Sequence, residues 1–122
     1  AMEGATFGLR YGLEVMQRSG IVASEIRLTG GGAKSNHWCQ MVADIFNCEV
    51  VRVVGEEAGA IGAALQALWC DYSKNDAGRS IEEITTKFVK LDDSSRMAPS
   101  SSKVATYDEL YQKYLEFSAK LF

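Results

Sequence analysis

Apolar residues recur at three- and four-residue steps near the amino terminus, a spacing typical of one face of a helix. The stripe consists of Met2, Thr6, Leu9, Leu13 and Met16. It stops at Ser19-Gly20, where a glycine can close the last helical turn. No Ser, Asp or Asn precedes Met2 as a cap. This pattern indicates a chain cut from a longer protein inside or just before a helix.

The following segments predict a strand, a helix and a second strand. Residues 26–28 are a short apolar run, residues 38–45 carry a helical stripe, and residues 49–54 are rich in β-branched side chains. Strands joined by one helix over so short a distance predict a parallel pair with a right-handed crossover. Open sheets of this kind bind ligands at the carboxyl ends of their strands.

The second half of the chain predicts two helices, two connections and a terminal helix. Residues 56–69 form a helix whose first half is made of small residues, suited to close packing or to pressing on a ligand. Residues 71–79 are polar and predict a loop, and a capping box at Ser80 starts a short helix through Lys87. Residues 92–102, with five serines and the only proline, predict an exposed connection.

The terminal helix, residues 103–122, carries an aromatic stripe that must dock on another element. The stripe is Tyr107, Leu110, Tyr111, Tyr114, Leu115 and Leu121. Tyrosines at this spacing predict core packing rather than a ligand platform.

Composition narrows the function classes. The 122 residues are 47% hydrophobic and 24% charged, which is typical of one soluble globular domain. A formal net charge of -3 without clustered Lys or Arg argues against a nucleic-acid partner. No signal peptide and no membrane-length apolar run is present, so neither secretion nor membrane contact is predicted. Three cysteines without CxxC spacing predict reduced, packed thiols in a cytoplasmic protein, with no metal site.

Three glycines, Gly30, Gly31 and Gly32, lie between the first strand and the helix that follows it. Glycine lets the backbone approach a ligand closely, and the N–H groups at a helix start favour negative charge. The spacing excludes a P-loop, because Ala33 stands before Lys34 where glycine is required. The three glycines are therefore predicted to form a nucleotide cradle that differs from a P-loop.

Two alternatives to a mononucleotide cradle stay open on the residues alone. In a Rossmann-like dinucleotide site, Gly30 and Gly32 fit, Ser35 replaces the third glycine, and Glu56 supplies the acid after the second strand. In a non-catalytic interaction domain, the glycines only make a tight turn and the tyrosine helix docks a partner.

The segment from Ile26 to Phe46, IRLTGGGAKSNHWCQMVADIF, resembles the adenosine-binding segment of the FGGY carbohydrate kinases, and most closely that of the xylulose kinases. The resemblance extends upstream to residues 3–10 and downstream to Glu56-Glu57 and the helix containing residues 62–64. It weakens after Tyr72. It covers nearly the whole chain.

The resemblance implies an α/β fold, part of the carboxy-terminal domain of a two-domain kinase with an actin-like, ribonuclease-H-like architecture of parallel strands and flanking helices. The implied reaction moves the γ-phosphoryl group of ATP to a pentulose, with D-xylulose expected. The implied cofactors are ATP or ADP with Mg²⁺, and the metal is held mainly by the nucleotide and the missing amino-terminal domain. The residues that bind the sugar, which sits between the domains, also belong to that missing part. A homodimer stays open.

The resemblance also assigns site residues. Gly31 and Gly32, assisted by Gly30 and Lys34, hold the adenosine and α-phosphate end of the nucleotide. Asn36 contacts the base, and its amide offers both a donor and an acceptor to an adenine edge.

No catalytic residue is expected on this chain, because the family's general base lies in the amino-terminal part. Asp44 is the only carboxylate close to the glycines in sequence, and it is predicted to be a helix-surface residue without a catalytic role. The 122 residues alone are therefore expected to be inactive.

Overall fold

The computed structural model describes residues 1–55, 57–75 and 79–121, without the side chain of residue 121. Within these ranges five α-helices flank a small three-stranded sheet. The elements are α1 (Met2–Arg18), β1 (Glu25–Leu28), a 3₁₀ turn (Gly31–Lys34), α2 (Asn36–Phe46), β2 (Glu49–Val53), α3 (Ala58–Asn75), α4 (Ile81–Phe88), β3 (Leu91–Met97) and α5 (Ser101–Leu121).

The predicted strand–helix–strand unit is confirmed. β1 pairs in parallel with β2, and Glu25 lies opposite Glu49. α2 crosses between them; it begins at the Ser35 cap, whose side chain accepts a hydrogen bond from the Trp38 N–H, and ends at Asn47 in the left-handed conformation. The carboxyl ends of both strands therefore lie at the same edge of the sheet.

A third strand, β3, occupies most of the segment predicted to be an exposed connection, so that prediction was wrong. β3 runs antiparallel to β2 at the edge of the sheet. Its serines and aspartates give no apolar alternation, which hid it from the sequence pattern. The register shifts between Val50 opposite Met97 and Arg52 opposite Asp92, so β3 bulges between those pairs.

Ser95 fills this bulge with its own hydrogen bonds. Its buried hydroxyl accepts from the Arg52 N–H at 2.9 Å and donates to the Asp92 carbonyl at 2.6 Å. The serine thus replaces a regular strand-to-strand bond and fixes the backbone of Arg52.

The core has two clusters that meet on α2. The first fills the space between α2 and the sheet with Cys39, Val42, Ala43 and Val50. The second joins α1, α2 and α5 through Phe7, Ile45, Tyr111 and flanking residues that include Tyr107, Tyr114 and Leu115. The prediction that the tyrosine stripe packs in the core is confirmed for these members.

Tyr111 is the central side chain of the second cluster. Its ring lies under the Arg10 guanidinium and its hydroxyl donates to a Glu14 carboxylate oxygen at 2.9 Å. Burial, together with that carboxylate, raises the pKa of Tyr111 well above its ordinary value. The hydroxyl therefore remains a proton donor throughout the physiological range.

Several sequence expectations are corrected. Of the α1 stripe, Met2, Leu9 and Met16 are exposed and only Thr6 is buried, together with Phe7 beside it, because α2 and α5 cover a narrow strip of the helix. Leu110 is also partly exposed on α5.

Other corrections concern α3. The helix continues through Asn75, which overturns the predicted loop over residues 71–75, while residues 76–78 and Glu56 lie outside the described residues. A Cβ at Gly59 or Gly62 would meet no neighbour, so close packing of this small-residue face is not observed. Cys70 on this helix is exposed rather than packed, whereas Cys39 is buried and Cys48 is partly buried.

Smaller local predictions hold. The Ser80 side chain accepts from the Glu83 N–H and caps α4, as predicted. Gly20 follows α1 with a φ of 87°, consistent with a glycine that ends the helix. No helix in the described part of the chain is both long enough and apolar enough to cross a membrane.

Arg96 ties the three strands together on the exposed face of the sheet. Its guanidinium bonds Glu25 on β1, Glu49 on β2 and Asp93 on β3 itself. The Arg27 and Arg96 side chains hold the pKa of Glu25 below its ordinary value. Conversely, the carboxylates raise the pKa of Arg96.

These charges predict an acid-sensitive contribution to stability. Because the folded pKa of Glu25 lies below its unfolded value, its contribution is present above an ordinary carboxyl pKa and is lost as pH falls through the lowered value. Glu25→Gln should therefore melt at a lower temperature than wild type near neutral pH, and the two should converge in acid. Thermal melting across pH measures this, and added salt should shrink the difference because the cluster is exposed. Equal melting temperatures at neutral pH would contradict the prediction.

Candidate functional site

An open cleft of about 640 Å³ lies at the carboxyl ends of β1 and β2. The glycine loop forms one wall, and the end of β2 with the start of β3 forms the other. The lining residues include Gly30, Gly31, Lys34, Arg52, Asp92 and Asp93. The edge of the sheet at which a ligand site was predicted therefore carries an open cleft.

The three glycines of the loop have different reasons to be glycine. Gly30 has a φ of 84°, which L side chains rarely adopt. A Cβ on Gly31 would meet no atom within 4 Å, and Gly31 lines the cleft. A Cβ on Gly32 would lie 3.0 Å from a Trp38 ring carbon. Gly30 and Gly31 both leave room beside the cleft, but only Gly31 does so without a backbone conformation that favours glycine.

Trp38 explains why Gly32 belongs to the packing of the chain. Its ring lies against the loop, and its Nε1 donates to the Thr6 hydroxyl at 3.2 Å. Thr6 is buried and in turn donates to the Met2 carbonyl at 2.9 Å. The glycine loop is thus buttressed by α1 through one tryptophan, a connection that the sequence pattern did not reveal.

Asn36, the predicted base contact, is the first residue of α2 and is exposed. Its Oδ1 accepts a hydrogen bond from Arg52 Nη2. Asn36 and Gly32 are not among the residues that line the cleft, whereas Gly30, Gly31 and Lys34 are. Asn36 and Gly32 thus lie outside the lining of the cleft, and Asn36 is connected to it by its bond to Arg52.

Arg52 is a site residue that the sequence analysis missed. It lines the cleft, and its Nη2 also lies 3.6 Å from Cys39 Sγ. Its Nε is buried and makes no hydrogen bond to the described residues. The available signal was a charged residue inside an apolar strand, Val50-Val51-Arg52-Val53-Val54, which a strand buried on both faces does not favour.

Asp44 is buried, with 1% of its surface exposed, so its assignment to the helix surface was wrong. Its Oδ1 accepts from Gln40 Nε2 at 2.9 Å and from the Ser100 N–H at 2.8 Å, and Lys103 Nζ lies 3.9 Å from Oδ2. Ser100 directly precedes α5 and Lys103 lies in its first turn, whereas Gln40 is on α2 itself, so the carboxylate lies where the start of α5 meets the end of α2 remote from the glycine loop. The Asp44 carboxylate therefore joins α2 to the start of α5.

Comparison with known proteins decides the family. The sequence model of the C-terminal domain of the FGGY family of carbohydrate kinases matches residues 1–70. The chain belongs to the FGGY family. The resemblance stated from residues 26–46 is thereby confirmed.

Individual relatives of this FGGY chain agree. A xylulose kinase of Haemophilus influenzae is 45% identical over 121 residues, which cover 99% of this chain and 24% of that protein. The structure of a ligand-bound xylulose kinase from Lactobacillus acidophilus is 25% identical with a TM-score of 0.79, over 98% of this chain and 23% of that one. A gluconate kinase structure from the same organism gives the same four values.

These matches confirm the α/β fold class of this FGGY chain, with a mixed rather than purely parallel sheet among the described strands. The chain spans about a quarter of the length of the relatives it matches. The matched region is therefore only one part of a whole kinase.

Proposed function

We propose that this chain forms the carboxy-terminal, nucleotide-binding part of an ATP-dependent sugar kinase that phosphorylates a pentulose, with D-xylulose as the substrate. The observation that carries the proposal is the 45% identity to a xylulose kinase over 99% of the chain. The cleft beside Gly31 supports it, because it offers room for a ligand against bare backbone. The need for ATP fits a cytoplasmic location.

The glycine loop and Asn36 bind the adenosine and α-phosphate end of ATP or ADP in this proposal. Gly30 supplies the left-handed turn, Gly31 the open approach, and Gly32 the space for Trp38 that holds the loop in shape. The start of α2 adds N–H groups that lack helical partners and favour negative charge. Lys34 lies on the same wall of the cleft and can draw the phosphates toward it.

The chain contributes binding and orientation rather than the chemical step. Within the described residues, no group of three or more His, Cys, Asp or Glu side chains is placed to hold a metal ion. Asp44 is engaged in structural hydrogen bonds. Mg²⁺ would be held mainly by the nucleotide, and the base that takes the sugar hydroxyl proton would come from the rest of the kinase. This chain contributes the positioning of ATP.

The sugar is tested by assaying the full-length kinase that carries this sequence with ATP and a panel containing D-xylulose, L-xylulose and gluconate. We expect the highest kcat/KM for D-xylulose. The 122-residue chain alone should show no turnover with any of them. Gluconate is the informative competitor, because a gluconate kinase structure matches as well as a xylulose kinase structure does. A preference for gluconate would overturn the substrate, and no ATP-dependent phosphorylation would overturn the proposal.

A further inference from the structure

Arg52 links the end of β2 to the first residue of α2. Its guanidinium bonds the Asn36 carbonyl oxygen, and its backbone N–H is bound by Ser95 from β3. We propose that Arg52 is a positioning residue: it fixes the orientation of the Asn36 amide so that the NH₂ group, rather than the carbonyl oxygen, meets the nucleotide base. The inference rests on the proposed function, in which Asn36 contacts that base.

The chemistry of the two side chains sets the orientation. A guanidinium has donors and no acceptor, so only the carbonyl half of an amide can pair with it. Turning the amide over would bring its NH₂ hydrogens against the guanidinium hydrogens. With Oδ1 held by Arg52, the Nδ2 group is the half of Asn36 left for a ligand. Adenine presents ring nitrogens that accept such a bond.

In this arrangement Asn36 does not offer its donor and its acceptor to the base equally. The amide works as a donor toward the base. Asn36 then recognises a ring-nitrogen acceptor of the base.

The contacts of the Arg52 side chain contribute little to the stability of the fold. Its Nε is buried without a hydrogen bond among the described residues, and its contact with Cys39 is a weak one to sulfur. A buried donor without a partner disfavours the folded state. The presence of such a side chain in the wall of a cleft is explained if its guanidinium orients Asn36 there.

The bulge in β3 completes the arrangement. The hydroxyl of Ser95 holds the Arg52 backbone where a regular strand partner is missing, and a carbonyl of the bulge, that of Asp92, holds the hydroxyl. The polar strand β3, which the sequence pattern did not predict, thus holds the backbone of Arg52. This chain of contacts runs from β3 through Arg52 to Asn36.

The test is a double-mutant cycle in the full-length kinase, with the dissociation constant of ADP measured by calorimetry. Asn36→Ala and Arg52→Met should each weaken binding about tenfold, and the double variant should bind no more weakly than Asn36→Ala alone, because coupled residues lose their effect once. KM for ATP should rise while kcat at saturating ATP changes little. Arg27→Met, on the neighbouring strand and paired with Glu25, is the matched control and should leave the affinity unchanged.

Each result separates the two proposals. If Asn36→Ala leaves ADP affinity unchanged, the proposed base contact fails. If Asn36→Ala weakens binding and Arg52→Met does not, the positioning role fails while the site stands. Fully additive losses would also overturn it, since Arg52 would then act on the nucleotide directly. Should Arg52→Met unfold, Arg52→Lys keeps the charge but loses the planar fork, and the same loss of affinity is expected.

Discussion

Replacing Gly31 by leucine is expected to lower the affinity of the full-length kinase for ADP by about ten- to a hundredfold, the effect of overpacking a fitted contact. The fold should be unaffected, because a Cβ at this position meets no atom of the chain within 4 Å and the backbone is not left-handed. The side chain would extend into the cleft that the proposal gives to the nucleotide. Calorimetry with ADP, beside thermal melting, measures both halves of the prediction.

The neighbouring glycines provide contrasting variants. Gly32→Ala brings a Cβ against the Trp38 ring and should lower the melting temperature. Gly30→Ala forces a left-handed φ on a residue with a Cβ, at a cost of about 1 kcal/mol or more. Both would disturb binding through the loop's own shape. Gly31 is the position at which occupation of the cleft can be separated from damage to the fold.

Gly12→Leu is the matched control for a glycine-to-leucine change. Gly12 lies on α1, where a Cβ meets no neighbour. Neither stability nor ADP affinity should fall there. If Gly31→Leu folds normally and still binds ADP as the wild type does, the nucleotide does not lie against this loop, and the site assignment fails.

Hydrophobic periodicity predicted those parts of the fold in which one element buries an apolar face. The β1–α2–β2 unit is the clearest example, since its strands and helix fill one core cluster. The tyrosines of α5 are another, because aromatic residues at helical spacing need cover. In both cases the local pattern and the tertiary packing agree.

Side chains that work through hydrogen bonds escaped the same reasoning. β3 is held by Ser95 and by the Arg96 ion pairs, neither of which leaves an apolar alternation. The glycine loop was predicted to be a ligand site, but the division of roles between Gly31 and Gly32 depends on where the Trp38 ring lies. Ser95 bonds a strand distant in sequence, and the Trp38 ring is held by Thr6 on α1, so no spacing rule encodes either feature.

Asp44→Ala is expected to lower the free energy of unfolding by about 2–4 kcal/mol, the range for removing the acceptor of a buried hydrogen-bond network. The Ser100 N–H and one Gln40 N–H would lose their partner in a site where Asp44 itself is 1% exposed. Ser100 directly precedes α5, so the loss falls on the junction between α2 and that helix. Urea denaturation of the 122-residue chain measures the change.

Two further variants test whether the loss of stability comes from the hydrogen bonds of the buried Asp44 carboxylate. Asp44→Asn keeps an acceptor oxygen for the Ser100 N–H and should cost less than Asp44→Ala. Asp71→Ala removes an exposed carboxylate whose bond is to Asn75 on the same helix, and it should change stability by less than about 0.5 kcal/mol. A near-neutral Asp44→Ala would mean that α5 is held by the tyrosine cluster alone. A large loss would show that α2, which carries Asn36 at its first turn, is anchored at its far end by this one carboxylate.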